Sequence, residues 1–370
     1  MKEPSARRFS RLNLPLLALA VLALLTALWA GLLRMGWALP PLRPTLVMSH
    51  GPLMICGFFG TLVGLERAAG LSQLNSRWRW AYLGPAATGM GALLLILHLG
   101  GATGVGLIAL GSLVLTAAMV VIVRIHPTMH SLVMLLGAVA WLAGNLLWLF
   151  GRSIPEVAMW WAAFLVLTIA GERLELSRML RLSRGQQVAF GAGVVLFLGG
   201  VALSAIAYAP GVRLASAGML ALALWLLTFD MARRTVRKTG LARYIAISLL
   251  AGFVWLGTAG LLGLRFGGVT AGFQYDAFLH SLFVGFVFSM IFAHAPIILP
   301  VLSGLPLVFG RGFYVPLALL QVSLVLRVAG DLLAQMVIRQ WGGLLNEVAI
   351  LLFLGMLARE VVRSRRGKAA

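Results

Sequence analysis

The chain has 370 residues, of which 61% are hydrophobic and 11% are charged. Soluble domains of this length cannot bury so many apolar side chains, so the composition excludes an ordinary globular protein and indicates that lipid is the solvent. The formal net charge is +20, but the basic residues lie at the ends of apolar runs and not along one folded face, which argues against a nucleic-acid-binding protein.

Apolar runs long enough to cross a bilayer follow one another along the whole sequence. A hydrocarbon core about 30 Å thick requires roughly 20 apolar residues in a helix. We therefore predict one all-α, polytopic membrane domain over residues 1–370, with short basic tails at 1–12 and 363–370. Its twelve transmembrane helices, numbered here as spans 1 to 12, are predicted at 13–34, 45–65, 80–99, 104–124, 128–150, 154–173, 187–209, 212–231, 243–264, 274–302, 313–335 and 341–362.

The basic residues favour one orientation of these spans. Cytoplasmic connections of membrane proteins carry an excess of Lys and Arg. Successive connections lie on alternate sides of the membrane, so one assignment fixes all the others. With the N-terminus in the cytoplasm, the inner segments contain Lys2, Arg7, Arg8, Arg11, Arg67, Arg77, Arg79, Arg173, Arg178, Arg181, Arg184, Arg233, Arg234, Arg237, Lys238, Arg243, Arg363, Arg365, Arg366 and Lys368. Both termini are therefore predicted to be cytoplasmic, which requires an even number of spans.

Two histidines of span 10, His280 and His294, are separated by fourteen residues. In an α-helix this spacing places the side chains roughly 40° apart in azimuth and about 21 Å apart along the axis. Both then lie on one face, at two membrane depths. One helix that supplies an axial ligand to each of two stacked haems needs this geometry, and ionisable residues inside a membrane are functional candidates.

The predicted orientation gives each of these histidines a partner at its own depth. Span 2 begins close to His50, on the outer side with His280, and span 5 begins close to His130, on the inner side with His294. A low-spin haem iron takes two imidazoles, one on each face of the porphyrin. We therefore predict an outer pair, His50 with His280, and an inner pair, His130 with His294. The inner pair depends on topology alone, so one haem b and two remain alternatives.

The two remaining histidines have simpler interpretations. His98 lies at the outer end of span 3, where it is either an interfacial residue or an additional ligand to a metal ion held by His50 and His280. His126 precedes Pro127 and is expected at a helix start. Because it lies one turn from His130, it is the alternative to that residue in the inner pair.

Charged residues are rare at membrane depth, and three of them stand near the predicted site. Arg327 and Asp331 are four residues apart on span 11 and can neutralise each other, although Arg327 can instead hold a haem propionate. Asp276 lies one turn before His280 and can accept its ring N–H, which orients the imidazole. The alternative for Asp276 is a charge that stabilises a helix N-terminus.

Three further polar or reactive residues lie in predicted spans. Glu347 and Asn346 of span 12 are interpreted either as proton-pathway residues or as packing partners. The single cysteine, Cys56, cannot form an internal disulfide, and no C-x-x-C-H motif for covalent haem attachment is present. We expect Cys56 to be a small packing residue.

Two segments resemble the NnrS family of bacterial inner-membrane proteins. They are HGPLMICGF from His50 to Phe58 in span 2 and DAFLHSLFVG from Asp276 to Gly285 in span 10. The resemblance implies a multi-pass protein of the bacterial inner membrane with about twelve helices, which binds haem and copper and is linked to tolerance of nitric oxide. His50 and His280 would match family histidines.

The layout is also similar, more distantly, to the catalytic subunit of haem-copper oxidases, with twelve helices and haem-ligating histidines in helices two and ten. Spans 6 to 9 contain no histidine. The copper-ligand set of those enzymes is therefore missing, and we do not predict an oxygen reductase.

The sequence leads to one main hypothesis and two rivals. The main hypothesis is an integral membrane b-type haem protein of NnrS-like kind, acting in electron transfer or in handling of nitric oxide and stress, with a redox partner or a quinone as its partner. It leaves open catalytic turnover, copper binding and oligomeric state.

The first rival is a proton-coupled secondary transporter that uses the same histidines with Asp331 and Glu347, and whose helices are broken at Pro296 and Pro300 to bind substrate. The second is a structural or sensory protein without a cofactor.

Overall fold

The computed structural model describes residues 12–40, 44–177, 180–304 and 307–369. Within these ranges the regular structure is entirely helical, and twelve helices are long and apolar enough to cross a membrane. Spans 1 to 12 are Asn13–Arg34, Leu46–Leu74, Ser76–Leu97, Thr103–Ile125, Met129–Leu149, Ile154–Ser177, Arg184–Ser204, Tyr208–Phe229, Gly240–Phe266, Gly272–Leu302, Arg311–Leu332 and Met336–Arg363. The prediction of an all-α polytopic protein with twelve spans is confirmed.

Some of the basic residues that predict the membrane orientation lie outside these ranges. Residues 1–11, with Lys2, Arg7, Arg8 and Arg11, lie outside the described residues, and so does Arg178. The side chains of Arg365, Arg366 and Lys368 are also outside the described part. The cytoplasmic location of both termini therefore stays a prediction.

Span 2 extends further than predicted. We expected it to end at residue 65, before the charges of Glu66 and Arg67, but the helix Thr61–Leu74 continues through both. The guanidinium of Arg67 forms an ion pair with the carboxylate of Glu172 on span 6. A charge that is neutralised by a neighbouring helix does not have to mark the end of a span, and only the tertiary structure provides that neighbour.

Spans 7 and 8 pack closely because glycines line their contact. A Cβ atom added at Gly200 would lie 2.0 Å from the backbone nitrogen of Ala215, and one at Gly218 would lie 2.4 Å from that of Phe197. No side chain larger than hydrogen fits at either position. Small residues at helix contacts in lipid allow this backbone approach, which increases van der Waals contact where no hydrophobic effect drives association.

Span 10 runs through its two prolines without a break. The helix Ser289–Ser303 contains Pro296 and Pro300 in its interior. The broken helices that the transporter hypothesis requires at these residues are therefore absent from this part of the described chain. Proline removes one hydrogen bond and bends a helix, but membrane helices tolerate it when neighbours satisfy the freed carbonyl.

A buried ion pair ties the end of span 6 to the end of span 8. Arg173 donates from Nε and Nη2 to the two carboxylate oxygens of Asp230, at 2.8 Å each. The side chains are 4% and 0% exposed. Asp230 also accepts the backbone N–H of Ala232 at 2.7 Å, so both of its oxygens are hydrogen-bonded. This bidentate geometry is the strongest form of an arginine–carboxylate pair.

We predict that Arg173→Ala strongly destabilises the protein. The substitution leaves Asp230 as a buried carboxylate without its cation, a loss of about 3–5 kcal/mol in the free energy of unfolding. Arg152→Ala is the matched control, because the Arg152–Glu156 pair is 54% and 40% exposed and such pairs contribute about 0–1 kcal/mol. Thermal unfolding of the three proteins in one detergent gives the comparison, and equal loss in both variants would contradict the assigned role of Asp230.

Candidate functional site

The structure brings together the two histidines of the predicted outer pair. His50 stands at the first turn of helix in span 2, and His280 lies at the end of the α-helix Gly272–His280 of span 10. Their ring centroids are 6.3 Å apart and the ring planes are inclined by 27°. Two residues 230 positions apart in sequence therefore face one small volume, at the same depth in the helix bundle.

Both imidazoles are oriented by backbone carbonyls through the same ring nitrogen. Nδ1 of His50 lies 2.7 Å from the carbonyl oxygen of Ala27 on span 1. Nδ1 of His280 lies 3.0 Å from the carbonyl oxygen of Asp276, one turn earlier. A carbonyl only accepts, so each Nδ1 carries a proton, and in the neutral imidazole each Nε2 then holds a lone pair. Histidines that bind metals are commonly held in this way.

The two rings line a cavity of about 100 Å³ between spans 1, 2, 6, 10, 11 and 12. Its wall is mainly apolar and aromatic, with Trp161, Phe283 and Phe288 among the large side chains. Met54, one turn after His50, adds a thioether. The remaining polar lining residues are Tyr275, Arg327, Asn346 and Glu347. A dry, apolar cavity with a few convergent polar groups is the usual form of a cofactor or small-molecule site.

Gly31 of span 1 makes room for the His50 ring. A Cβ atom at this position would lie 3.0 Å from Cε1 of His50, 3.1 Å from Nδ1 and 3.1 Å from Oε1 of Glu347. The imidazole and the Glu347 carboxylate therefore share the space over this glycine. Glu347 is only 9% exposed and forms no hydrogen bond or ion pair with a described residue. Nothing in the apolar sequence around Gly31 signalled this role.

Each histidine is followed by a π-helical segment. Leu53–Gly60 follows the short helix that begins at His50, and Ser281–Phe288 follows His280 directly. Phe58 and Phe59 of the first segment contact Phe288 of the second, with ring centroids 6.1 and 5.3 Å apart. Short π-helical segments are rare and occur frequently at functional sites. Here they give both histidine-bearing spans the same local distortion, which sequence periodicity did not predict.

The charges next to His280 pair differently from the prediction. We expected Arg327 to pair with Asp331 on the same span, but its guanidinium donates to both oxygens of Asp276, at 2.9 and 3.0 Å. Asp331 lies 2.9 Å from Nε of Arg339 instead, without the alignment of a hydrogen bond. Arg339 also donates to Asp276 at 3.2 Å. Two residues four positions apart on a helix do share a face. Asp276 on another span, however, accepts two hydrogen bonds from Arg327.

Asp276 acts on His280 in two ways. Its backbone carbonyl accepts the Nδ1 proton, and its carboxylate oxygen lies 3.4 Å from the same nitrogen. From the sequence we expected the Asp276 side chain to orient the ring, whereas the shorter contact of Nδ1 is with the main-chain carbonyl. The carboxylate is held by Arg327 and Arg339, so the two arginines support the position of the ligand-bearing helix.

The two histidines of the predicted inner pair contact different residues. Nδ1 of His294 lies 2.8 Å from the carbonyl oxygen of Met290. Nε2 of His130 lies 3.0 Å from the hydroxyl of Thr128 and 3.8 Å from Glu175. The shared face expected for His280 and His294 assumed an unbroken α-helix. The π-helical segment Ser281–Phe288 lies between them, and its wider i to i+5 winding turns less per residue, so the assumed azimuth does not hold.

His130 and His126 line a second, larger cavity of about 790 Å³. It lies among the ends of spans 2, 4 and 10 and the start of span 5, and also contacts Glu66, Arg67 and Glu175. His294 is not among its lining residues. The predicted inner pair is therefore not assembled around this cavity as the outer pair is around the first.

His98 stands apart from the outer pair. It is an exposed residue that caps span 3 in the left-handed conformation, with φ of 54°. Within the described residues there is no group of three or more His, Cys, Asp or Glu side chains that could hold a metal ion. The three-histidine metal site of His50, His280 and His98 is therefore not formed, because the helix end points His98 toward the surface.

Two other expectations concern buried polar residues near the cavity. Asn346 donates to the hydroxyl of Ser323 at 2.7 Å, so it packs against span 11, and both Asn346 and its neighbour Glu347 line the cavity. Cys56 is fully buried, as expected. Its thiol donates to the side-chain oxygen of Asn145 at 3.4 Å, and Trp161 donates to the same oxygen at 2.9 Å.

The two imidazoles are suitable donors for a haem iron, but the volume of the cavity is small for a haem. An ion bonded at roughly 2 Å to Nε2 of two imidazoles separates their ring centroids by about 6 Å, close to the 6.3 Å observed. The cavity of about 100 Å³ is smaller than the roughly 300–1,000 Å³ of typical cofactor pockets. Two imidazoles are therefore donors of the type that haem iron takes, but a porphyrin ring would not fit this cavity unless lining side chains moved.

We predict that Gly31→Ala destabilises the protein by about 1–3 kcal/mol, because the new methyl group overpacks against the His50 ring and Glu347. Gly199→Ala is the control. It stands in the helix Arg184–Ser204, and a Cβ there meets nothing within 4 Å. Alanine in an open helical position stabilises by about 0.5–1 kcal/mol. Thermal unfolding of both variants tests this, and Gly31→Ala unfolding like Gly199→Ala would refute the contact.

Comparison with known proteins adds a family and no named activity. No curated protein matches the chain, and no solved structure matches it. Residues 11–362 match the family described as domain of unknown function DUF8744. That match takes in all twelve spans except the last residue of span 12 and includes both histidines of the cavity. The chain therefore belongs to the DUF8744 family.

Proposed function

We propose that this protein is a b-type haem protein of the membrane, which holds one haem through His50 and His280 and serves electron transfer or the handling of nitric oxide. The observation that carries the proposal is the pair of imidazoles, oriented through Nδ1 by two carbonyls and 6.3 Å apart across one apolar cavity. Two such imidazoles are the axial ligands of low-spin haem proteins. A bound haem supplies one-electron chemistry at its iron.

The chain's own residues then do three things. Ala27 and Asp276 hold the ring protons at Nδ1 through their carbonyls, so that both Nε2 atoms stay available as donors. Arg327 lines the cavity while it is fixed by Asp276, and its free edge offers a positive charge to an acidic group such as a haem propionate. The apolar wall excludes water, which strengthens these interactions.

The ligand positions also bear on the number of haems. The outer pair shares one cavity, whereas His130 and His294 have separate partners. This difference favours one haem per chain over two. It also removes the second site that electron transfer across the whole bilayer within one chain would need.

Copper is the second candidate occupant of the same site, because the cavity of about 100 Å³ admits an ion without rearrangement. Two imidazoles with the thioether of Met54 on the same wall are ligand types that suit copper. The resemblance to NnrS proteins implies both haem and copper, so both occupants agree with it.

We predict that the protein purified after expression with ample haem shows Soret and α bands in the reduced-minus-oxidised spectrum. His50→Ala and His280→Ala each remove one of two axial ligands, so each should lose most of the bound haem. His98→Ala is the control and should keep it. Added imidazole should restore the spectrum of His280→Gly. Absence of both bands from the wild type contradicts the haem proposal, and bound copper in that sample, lost in both cavity variants, then supports the second candidate.

We predict further that His130→Ala and His294→Ala each retain the haem of the wild type, with a ratio of one haem per chain by pyridine haemochrome assay. The physical reason is that neither side chain lines the cavity of the outer pair. A ratio of two, falling to one in both variants, would reinstate the inner pair.

A further inference from the structure

A basic cavity lies at the end of span 8, away from the histidines. Three arginines line it, Arg233, Arg234 and Arg237, all on the connection between spans 8 and 9. The opposite wall contains Leu180 and Leu182 from the connection between spans 6 and 7. Its volume is about 390 Å³, which lies in the range of about 300–1,000 Å³ for ligand sites.

The described residues do not neutralise the positive charge of this basic cavity. Asp230 is its acidic lining residue among those described, and its oxygens are already used by Arg173 and by the N–H of Ala232. Arg234 and Arg237 form no ion pair or side-chain hydrogen bond with a described residue. Arg67 of span 2, by contrast, has a partner in Glu172.

Hydrogen bonds within the protein hold two of the side chains that line the basic cavity. Arg233 donates to the carbonyl oxygen of Thr228 at 2.9 Å, which places one guanidinium against the end of span 8. Gln186 is held in the capping box of span 7, where its side chain accepts the backbone N–H of Ser183 at 2.8 Å. Phe229 and Leu182 add apolar surface. Arginines over an apolar wall suit a ligand with an anionic head and an apolar body.

We infer that the basic cavity binds the headgroup of an anionic phospholipid. It opens where span 8 ends at Phe229, which is the depth at which phospholipid phosphates lie, and the bilayer itself presents the ligand. The arginine forks bind phosphate oxygens, and the acyl chains follow the apolar surface of the spans. Basic pockets between the ends of membrane helices bind anionic lipid headgroups in this way.

The test compares three proteins, each delipidated in a neutral detergent and titrated with phosphatidylglycerol or phosphatidylcholine. They are the wild type, the triple variant Arg233→Gln, Arg234→Gln, Arg237→Gln, and a control that loses the same charge elsewhere, Arg79→Gln, Arg359→Gln, Arg363→Gln. The control arginines are exposed at other span ends. Native mass spectrometry counts bound lipid, and the unfolding temperature reports its effect on stability.

The wild type and the control should retain phosphatidylglycerol in preference to phosphatidylcholine, with a rise in unfolding temperature. The triple variant should bind phosphatidylglycerol about one-hundredfold more weakly. If that variant does not fold, the double variant Arg234→Gln, Arg237→Gln, which keeps the contact to Thr228, should weaken binding about thirtyfold.

Two outcomes overturn the inference. Equal loss of binding in the control means that overall charge, and not this cavity, attracts the lipid. A rise in unfolding temperature with inorganic phosphate alone, equal to that with phosphatidylglycerol, means that the site takes free phosphate and that the lipid body is not recognised.

Discussion

Hydrocarbon cannot form hydrogen bonds with a polypeptide, and this constraint shapes the whole molecule. Every backbone polar group inside the bilayer must be satisfied within the chain, which makes helices the available regular structure. The same constraint governs side chains, because an unpaired charge in hydrocarbon is costly. Two buried arginines accordingly pair with carboxylates of other elements, Arg173 with Asp230 and Arg327 with Asp276.

These cross-span pairs also position the histidine cavity. Asp276 is bound by Arg327 of span 11 and Arg339 of span 12, and its carbonyl orients His280 one turn later. On the other side, the carbonyl of Ala27 on span 1 orients His50. Groups from four spans thus hold two rings that line a common cavity. The positions of both rings are therefore fixed by the protein itself.

The two π-helical segments have consequences at two places. Close to the site, they follow both histidines and pack against each other through phenylalanines. Further along span 10, the wider winding changes the direction in which His294 projects relative to His280. The site is thereby set up as one histidine pair in one cavity, and the second half of span 10 is free to meet other partners.

The sequence by itself determined the number of spans and their approximate limits, because hydrophobic length is a local property that the bilayer thickness imposes. It thereby placed His50 and His280 at one level. Only the tertiary structure decided which groups touch. Arg327 pairs with Asp276 and not with Asp331, His98 caps a helix at the surface, and Gly31 makes room for an imidazole. These contacts depend on the packing and rotation of spans distant in sequence, and the π-helical segments alter that rotation in a way that periodicity of 100° per residue cannot anticipate.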